Sequence, residues 1–480
     1  MSRTTTYLEL SQEGGGAHKF YEVTVEGANV SVRYGRIGAP GQLQTSSFPT
    51  EQKARDAAQR KIGEKVRKGY APAVQGGRAA RPVTRRQVSS APSTARAAAP
   101  VLWRFRTGSA AFGIHIGEDR CWVGNQAGDV HTLGHDGEVL ARYSLPEGVK
   151  CLVADDFWIY AGCDDGTVYD LSSKVPFAAY AVAPDVDIFW LDIHEGVLDV
   201  SDADGGLTVI DHEDEFQWSR RSPGGQAWMV RADGRAVYHG HQRGVTAYAP
   251  DGNGELWHTP TAGGVLFGWQ EEHAVYAGTT RNVVQRLAKA DGAVEATYRC
   301  DAAVYSCATS ADGRHVFAGD SASSVYCFDA DGTRLWKLRT GGGSALSMQY
   351  REERLYMVTT DGSLLCMDAS EAAVADARRG SVPVARDVKS AAALPTYTPP
   401  SSAAAVATVA EPPAGGVVVE CIPSGGGRLR VHVVSEGYEP SWNVQFPRGI
   451  REAGARYVVD ALHPADSGFY RVRGEIRRLV

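Results

Sequence analysis

The alternation of apolar and polar positions changes period several times along the chain, and each change marks an element. Val30, Val32 and Tyr34 alternate with Ser31 and Arg33, the period of two expected of a strand with one buried face. Tyr7-Leu8-Glu9-Leu10 reads as an earlier strand, followed by a Gly14-Gly15-Gly16 loop. Residues 19–26 read as a second, with Tyr21, Val23 and Val25 on one side. A Gly38-Ala39-Pro40-Gly41 turn leads into a returning strand over 42–48. The period then lengthens. Ala54, Ala57, Ala58, Ile62 and Val66 form a helical stripe behind Thr50, a candidate N-cap, and Gly69 ends it. A small α+β domain is predicted for residues 1–72.

From 73 to 100 no periodicity survives. The stretch is Ala-, Pro-, Ser-, Gly- and Arg-rich, and no acidic residue occurs between Arg67 and Arg106. Such a segment cannot bury enough apolar surface to fold alone, and it reads as a basic flexible linker.

Between 101 and 370 a unit recurs every 38–41 residues or so, within the range of propeller blades. Cys121-Trp122-Val123-Gly124, Ile159-Tyr160-Ala161-Gly162, Val237-Tyr238-His239-Gly240, Val275-Tyr276-Ala277-Gly278, Val316-Phe317-Ala318-Gly319 and Leu355-Tyr356-Met357-Val358 are corresponding strands. A more divergent copy is Val197-Leu198-Asp199-Val200. Asp-Gly turns such as Asp165-Gly166 and Asp361-Gly362 join the strands. Arg334-Leu335-Trp336-Lys337-Leu338-Arg339-Thr340 is the outer strand of a late unit. Its near twin, Val101-Leu102-Trp103-Arg104-Phe105-Arg106-Thr107, precedes the first unit, while the last unit lacks such a strand. The spacing therefore predicts a seven-bladed propeller in which 101–107 completes the last blade and closes the ring. Residues 371–415 form a second Ala/Pro/Ser-rich linker, within which Tyr397 is a candidate docking residue. Residues 416–480 form a small all-β domain, with strands expected at 417–420, 429–434, 442–446, 457–460, 469–473 and 476–480. The fold class is thus mainly β and multidomain.

Charge is segregated. Residues 1–100 carry 16 Lys and Arg against 7 Asp and Glu, and residues 101–370 carry 21 against 38. A basic head on an acidic body favours polyanion binding at the head alone. The eight cysteines are scattered without a Cys-x-x-Cys pair and read as small buried hydrophobes. No apolar run approaches the roughly 20 residues of a membrane helix, and the N-terminus lacks a signal-peptide core. A cytoplasmic protein that makes no membrane contact is expected.

Candidate chemistry concentrates at Val32-Arg33-Tyr34-Gly35-Arg36-Ile37-Gly38. An aromatic ring and a guanidinium separated by Gly at a hairpin end can stack on a sugar or base while holding a phosphate. Lys53, Arg55, Arg60, Lys61, Lys65, Arg67 and Lys68 add a basic helix surface. The nucleic-acid-binding candidates are Lys19, Arg33, Tyr34, Gly35, Arg36, Lys61 and Lys65. Elsewhere, Asp202-Ala203-Asp204-Gly205 reads as a hairpin turn, and His239 and His241 read as structural. In the last domain, Arg448, Arg451, Arg456, Arg471, Arg473, Arg477 and Arg478 mix with Trp442, Phe446, Tyr457 and Tyr470, a basic surface over core aromatics. No catalytic constellation, metal set or cofactor is expected.

Two resemblances follow from these residues. Lys19-Phe20-Tyr21-Glu22, the Val32 to Gly38 run, Gly41-Gln42, Ser47-Phe48 and Glu64-Lys65-Val66-Arg67-Lys68-Gly69-Tyr70 together resemble the WGR domain of poly(ADP-ribose) polymerases and many bacterial proteins. That resemblance implies DNA binding, at ends in the polymerases, with Tyr34 in the Trp role and Arg36 in the Arg role. Tyr in place of Trp implies weaker stacking. The repeat units resemble the quinoprotein-type propeller, a superfamily of pyrroloquinoline quinone dehydrogenases and cofactor-free scaffolds. Together they imply a non-enzymatic adaptor that contacts DNA through the N-terminal domain and recruits an unknown protein through the acidic propeller. The alternatives are a scaffold binding only proteins and a quinone-dependent dehydrogenase.

Overall fold

The computed structural model describes residues 3–10, 19–36, 42–68, 70–72, 88, 90–155, 158–172, 176–183, 186–210, 216–379, 386–388, 395–398, 407–413, 415–424, 428–446, 450–465 and 469–480. Contacts divide the chain into two units, 1–82 and 83–480. The expected Gly14-Gly15-Gly16 loop, the 38–41 turn, Gly69 and residues 73–87 lie outside the described residues.

The first unit is an antiparallel sheet with one helix. Strands β1 (Arg3–Leu10), β2 (Lys19–Glu26), β3 (Asn29–Arg36), β4 (Gln42–Ser47) and the short β5 (Ala71–Pro72) lie in the order β4-β3-β2-β1-β5. Helix α1 (Glu51–Arg67) starts at Thr50, whose hydroxyl accepts from the Lys53 N–H at 3.3 Å. Leu8, Tyr21, Val23, Val25, Val30 and Val32 on one sheet face meet Ala54 and Ala58 of the helix. Alanines let the helix lie close to the branched side chains, and this pairing forms the unit's core.

The second unit is built on seven sheets around an axis. Blades 1 to 6 are each built on four consecutive strands, spanning 111–144, 149–181, 188–221, 227–259, 265–299 and 304–339. The seventh takes three strands from 345–368, and its outer strand is Val101–Arg106. Ser363 pairs with Arg106 and Leu364 with Phe105, antiparallel, so the first strand of the ring closes the last blade. The innermost strands touch all the way round, the last against the first. One polar device ends the second strand of several blades. Asn125, Asp202 and Asp320 each accept backbone N–H bonds from residues two and four further on. Gly205 adopts φ +84°, where a Cβ would meet the Gly225 carbonyl at 2.0 Å, so only glycine fits that turn. The Asp202-Ala203-Asp204-Gly205 run is such a turn.

The two segments expected as linkers differ from that expectation where they are described. Residues 90–99 lie along blade 6. Ala91 N–H donates to Ser321 O, Ala99 N–H donates to Arg339 O, and Ala98 bridges Arg339 in parallel. Arg386–Val388 adds a parallel strand beside Trp103–Phe105 on blade 7. Thr396–Tyr397 adds one beside Arg142–Tyr143 on blade 1, with the Tyr397 and Tyr143 rings 5.2 Å apart. Residues 371–379 form a short helix that buries Val374 and Ala377. Backbone pairing at a blade edge needs no hydrophobic alternation, so composition alone gave no sign of it.

The last domain is one sheet. Val417–Ser424, Arg428–Val433, Arg456–Ala465 and Phe469–Leu479 form its body, with Thr408–Val409 and Val444–Gln445 at the margin. The two strands expected at 469–473 and 476–480 are one, interrupted only by a shift in register opposite Val459 and Ala461. Its Phe446 and Tyr457 are core residues, each 1% exposed. This sheet is fixed to the propeller by Arg471, whose Nη2 lies 2.8 Å from the Asp155 carboxylate, and by Gln445, whose Nε2 donates to the Tyr180 hydroxyl at 2.9 Å.

Candidate nucleic-acid interface

Strand pairing decides which candidate residues share a surface. Register sets Lys19 opposite Arg36, Phe20 opposite Gly35, Tyr21 opposite Tyr34 and Glu22 opposite Arg33. Directly opposed residues lie on one sheet face, and the face alternates with each step. Positions 19, 21, 34 and 36 therefore share the face covered by the helix. Positions 20, 22, 33 and 35 share the other. The side chains of Lys19 and Arg36 lie outside the described residues, and their backbone places both positions at the same end of the hairpin.

On the helix face, Tyr34 is half-buried against the core, its ring 6.2 Å from that of Tyr21. Its hydroxyl accepts a hydrogen bond from Gln44 Nε2 at 3.1 Å. Lys65 reaches over the same aromatics, its Nζ 4.4 Å from the centre of the Tyr21 ring and 5.4 Å from that of Tyr70. The helical period sets Lys61 and Lys65 on the line of Ala54 and Ala58, so Lys61 sits one turn before Lys65 on the sheet-facing side. Burial and the neighbouring Glu64 push the Tyr21 phenol above its ordinary value. The structure thus brings Tyr34, Lys61, Lys65 and positions 19 and 36 to one end of the sheet. Tyr21 and Tyr70 belong with them and were not among the candidates. The alternation that put Tyr21 on the face of Val23 could have found it.

Arg33 is separated from this group. On the opposite face its Nε and Nη2 donate to the two Glu22 carboxylate oxygens, each at 3.1 Å, while its guanidinium lies 5.1 Å from the Phe20 ring centre. Glu22 holds the guanidinium pKa above its ordinary value. Gly35, opposite Phe20, adds no side chain on that face. Tyr7 stacks on Phe20 at 5.7 Å.

In the propeller, the axial cavity has a volume of about 280 Å³. Three of its lining cations are paired. Lys150 meets Asp164 at 2.6 Å, Arg231 meets Asp192 at 3.3 Å, and Arg351 meets Glu352 at 3.3 Å. His239 and His241 have structural partners. His239 Nε2 is 3.0 Å from Ser201 Oγ, and His241 Nδ1 accepts from the Arg243 N–H at 3.2 Å, the bond that Asp202 makes in blade 3. Burial pushes the His241 imidazole down to about 4. All eight cysteines are free and buried. Among the described residues no group of three or more His, Cys, Asp or Glu is placed to hold a metal ion, and no helix is long and apolar enough to cross a membrane.

A basic, aromatic sheet end followed by a seven-bladed propeller is an architecture compatible with nucleic-acid binding and protein interaction. Comparison with known proteins gives two family matches. Residues 4–77 match the profile of the WGR domain, and residues 203–437 match that of the outer membrane protein assembly factor BamB. The "uncharacterized protein YfeS" of Escherichia coli (strain K12) is 35% identical over 54 residues, 11% of this chain and 22% of that protein. The chain therefore spans about a fifth of that curated relative. Among solved structures, the WD40 β-propeller domain of Doa1 aligns over 57% of this chain and 98% of its own at 10% identity, with a TM-score of 0.49. The computationally designed Ika8 protein aligns over 57% and 99% at 14% identity, with a TM-score of 0.45.

Proposed function

We propose that the chain is a non-enzymatic, cytoplasmic adaptor whose WGR domain binds DNA and whose propeller recruits a protein. The observation that carries the DNA half is the Lys19–Arg36 register. It sets two basic residue types at directly opposed positions at one end of the hairpin, a spacing at which a single phosphate can meet both. Lys61 and Lys65 extend the positive surface, and Tyr34 supplies the ring beside it. Arg33, neutralised by Glu22, is a framework residue in this reading. DNA ends are the favoured substrate within it, because a half-buried ring at a sheet end can meet a terminal sugar more easily than a stacked base. The propeller's charge supports the division of labour, since a body with 38 acidic against 21 basic residues repels a duplex. A quinone dehydrogenase is disfavoured: Lys150, Arg231 and Arg351 each already meet a carboxylate, so the axial cavity fits a polycarboxylate quinone poorly.

The test is a mobility-shift series with blunt, nicked and single-stranded DNA at several salt concentrations. Binding that weakens with salt, and weakens further in Arg36→Ala, is expected, whereas Tyr34→Ala should mainly reduce any preference for ends. No shift at the lowest salt would remove the DNA half and leave a scaffold that binds proteins alone.

A further inference from the structure

We infer that the outer edge of blade 4, strand Glu255–Thr259, is the docking site for an extended segment of a partner protein, which adds there as a parallel fifth strand. The inference rests on the recruiting role just proposed and names the surface and the kind of partner.

The chain makes this contact with itself three times. Ala98 on blade 6, Arg386–Val388 on blade 7 and Thr396–Tyr397 on blade 1 all run parallel to an outer strand. Two of those outer strands carry a Leu-Trp pair. In both, the leucine is half-buried: Leu335 packs against the cluster that holds Ala99, Val374 and Ala377, and Leu102 packs against the cluster that Val388 also joins. Leu256-Trp257 on blade 4 is the third copy, and among the described residues its sheet ends at this strand. Trp257 is anchored as Trp103 is. Its Nε1 donates to Lys289 O at 3.0 Å, and that of Trp103 donates to His135 O at 3.0 Å. The strand is thus held in the same pose, yet Leu256 is 54% exposed. Among the described residues no strand pairs with this edge, whereas the corresponding edges of blades 6 and 7 are paired.

Charge narrows the occupant. Glu255 and the nearby Asp251 are exposed at the start of the strand, on a body with an acidic excess. The segment that fits carries a small apolar residue for Leu256 and a basic residue for Glu255, with no acidic side chain. Residues 91–99, Ala-Pro-Ser-Thr-Ala-Arg-Ala-Ala-Ala, have that composition and already lie on blade 6.

A fluorescein-labelled peptide with the sequence of residues 91–99, titrated into the full chain and followed by anisotropy, tests the site. Saturable binding is expected, at least tenfold weaker in Leu256→Asp and unchanged in Leu335→Asp, with slowed amide exchange over 255–259 in the complex. Leu256 is exposed, so the variant keeps its core, and an unchanged melting temperature checks this. Binding that Leu256→Asp does not weaken overturns the edge site and leaves recruitment by another face standing. A loss in Leu335→Asp instead means exchange with the chain's own segment on blade 6, and it also overturns the site. If neither this peptide nor any copurifying protein binds the full chain, recruitment itself falls, and the edge site with it.

Discussion

The contact between Arg471 and Asp155 sets how firmly the last sheet is held to the propeller, and the structure gives it a magnitude. The Arg471 side chain is 4% exposed and the Asp155 side chain 26%. Breaking a buried ion pair from one side typically costs about 3–5 kcal/mol, most of it the charge left behind. The two sides are unequal here. Arg471→Met retains an apolar stem beside Phe469 and leaves Asp155, a quarter exposed, where water can solvate it. Its cost should fall at about 1–2 kcal/mol after that screening. Asp155→Asn replaces the charged partner of a guanidinium in the dry part of the contact by a neutral amide, and should cost about 3 kcal/mol. Urea unfolding of the full chain, with amide exchange over Val444–Gln445 as the local readout, measures both. Equal costs, or a larger cost for Arg471→Met, would show that the pair is solvated and that packing alone holds the sheet.

The remaining predictions concern closure, pH and DNA. Trp103 is 3% exposed, lies 6.1 Å from the Tyr356 ring and bonds His135 O. Trp103→Ala should therefore cost about 3–5 kcal/mol in denaturant midpoint analysis, more than Trp122→Ala, whose ring is only half-buried. Burial pushes His131 down to about 4, below its value in the unfolded chain, so the unfolded state binds the extra proton. Its contribution to stability is complete above pH 6.5 and is lost as pH falls towards 4, by roughly 1.4 kcal/mol per pH unit. His131→Leu should flatten the pH dependence of the melting temperature between pH 6.5 and 4, and an unchanged slope would count against a buried neutral imidazole. In salt-series binding, Lys61→Gln and Lys65→Gln should each lower the logarithmic salt slope by about 0.9 on duplex DNA, the value of one phosphate contact, while Arg33→Gln leaves it unaltered.

Where the period of the sequence was regular, it carried the fold. Period two placed the N-terminal strands, the strands recurring about every 40 residues placed seven blades, and the displaced Leu102-Trp103 pair foretold how the ring closes. What escaped was pairing through backbone alone. Ala97 to Ala99 and Arg386 to Val388 hold to blade edges by N–H and C=O groups that every residue but proline carries in full, so an Ala-rich tract that docks looks like one that does not. The merging of two expected strands into Phe469–Leu479 failed to show for a related reason. Gly474 reads as a break, whereas at φ +85° it sits where a Cβ would meet Asp460, and the strand continues through it.

The site was legible in composition and only half legible in geometry, and the half that was missed changes its chemistry. Arg33, Tyr34 and Arg36 look like one basic-aromatic cluster when read in line. Strand alternation divides them: Arg33 is sent to Glu22 on the far face, and Tyr34 stays with the positions of Lys19 and Arg36. The helix then supplies what Arg33 does not, because the same period that buries Ala54 and Ala58 carries Lys61 and Lys65 to the open end of the sheet. A surface assembled this way holds its cations on two different elements. Phosphate binding should therefore stiffen the contact between strand and helix, and amide exchange over both β3 and the last turn of α1 should slow together when DNA is added. Slowing confined to one of them would mean that the cations act separately and that the shared end of the sheet is not the binding surface.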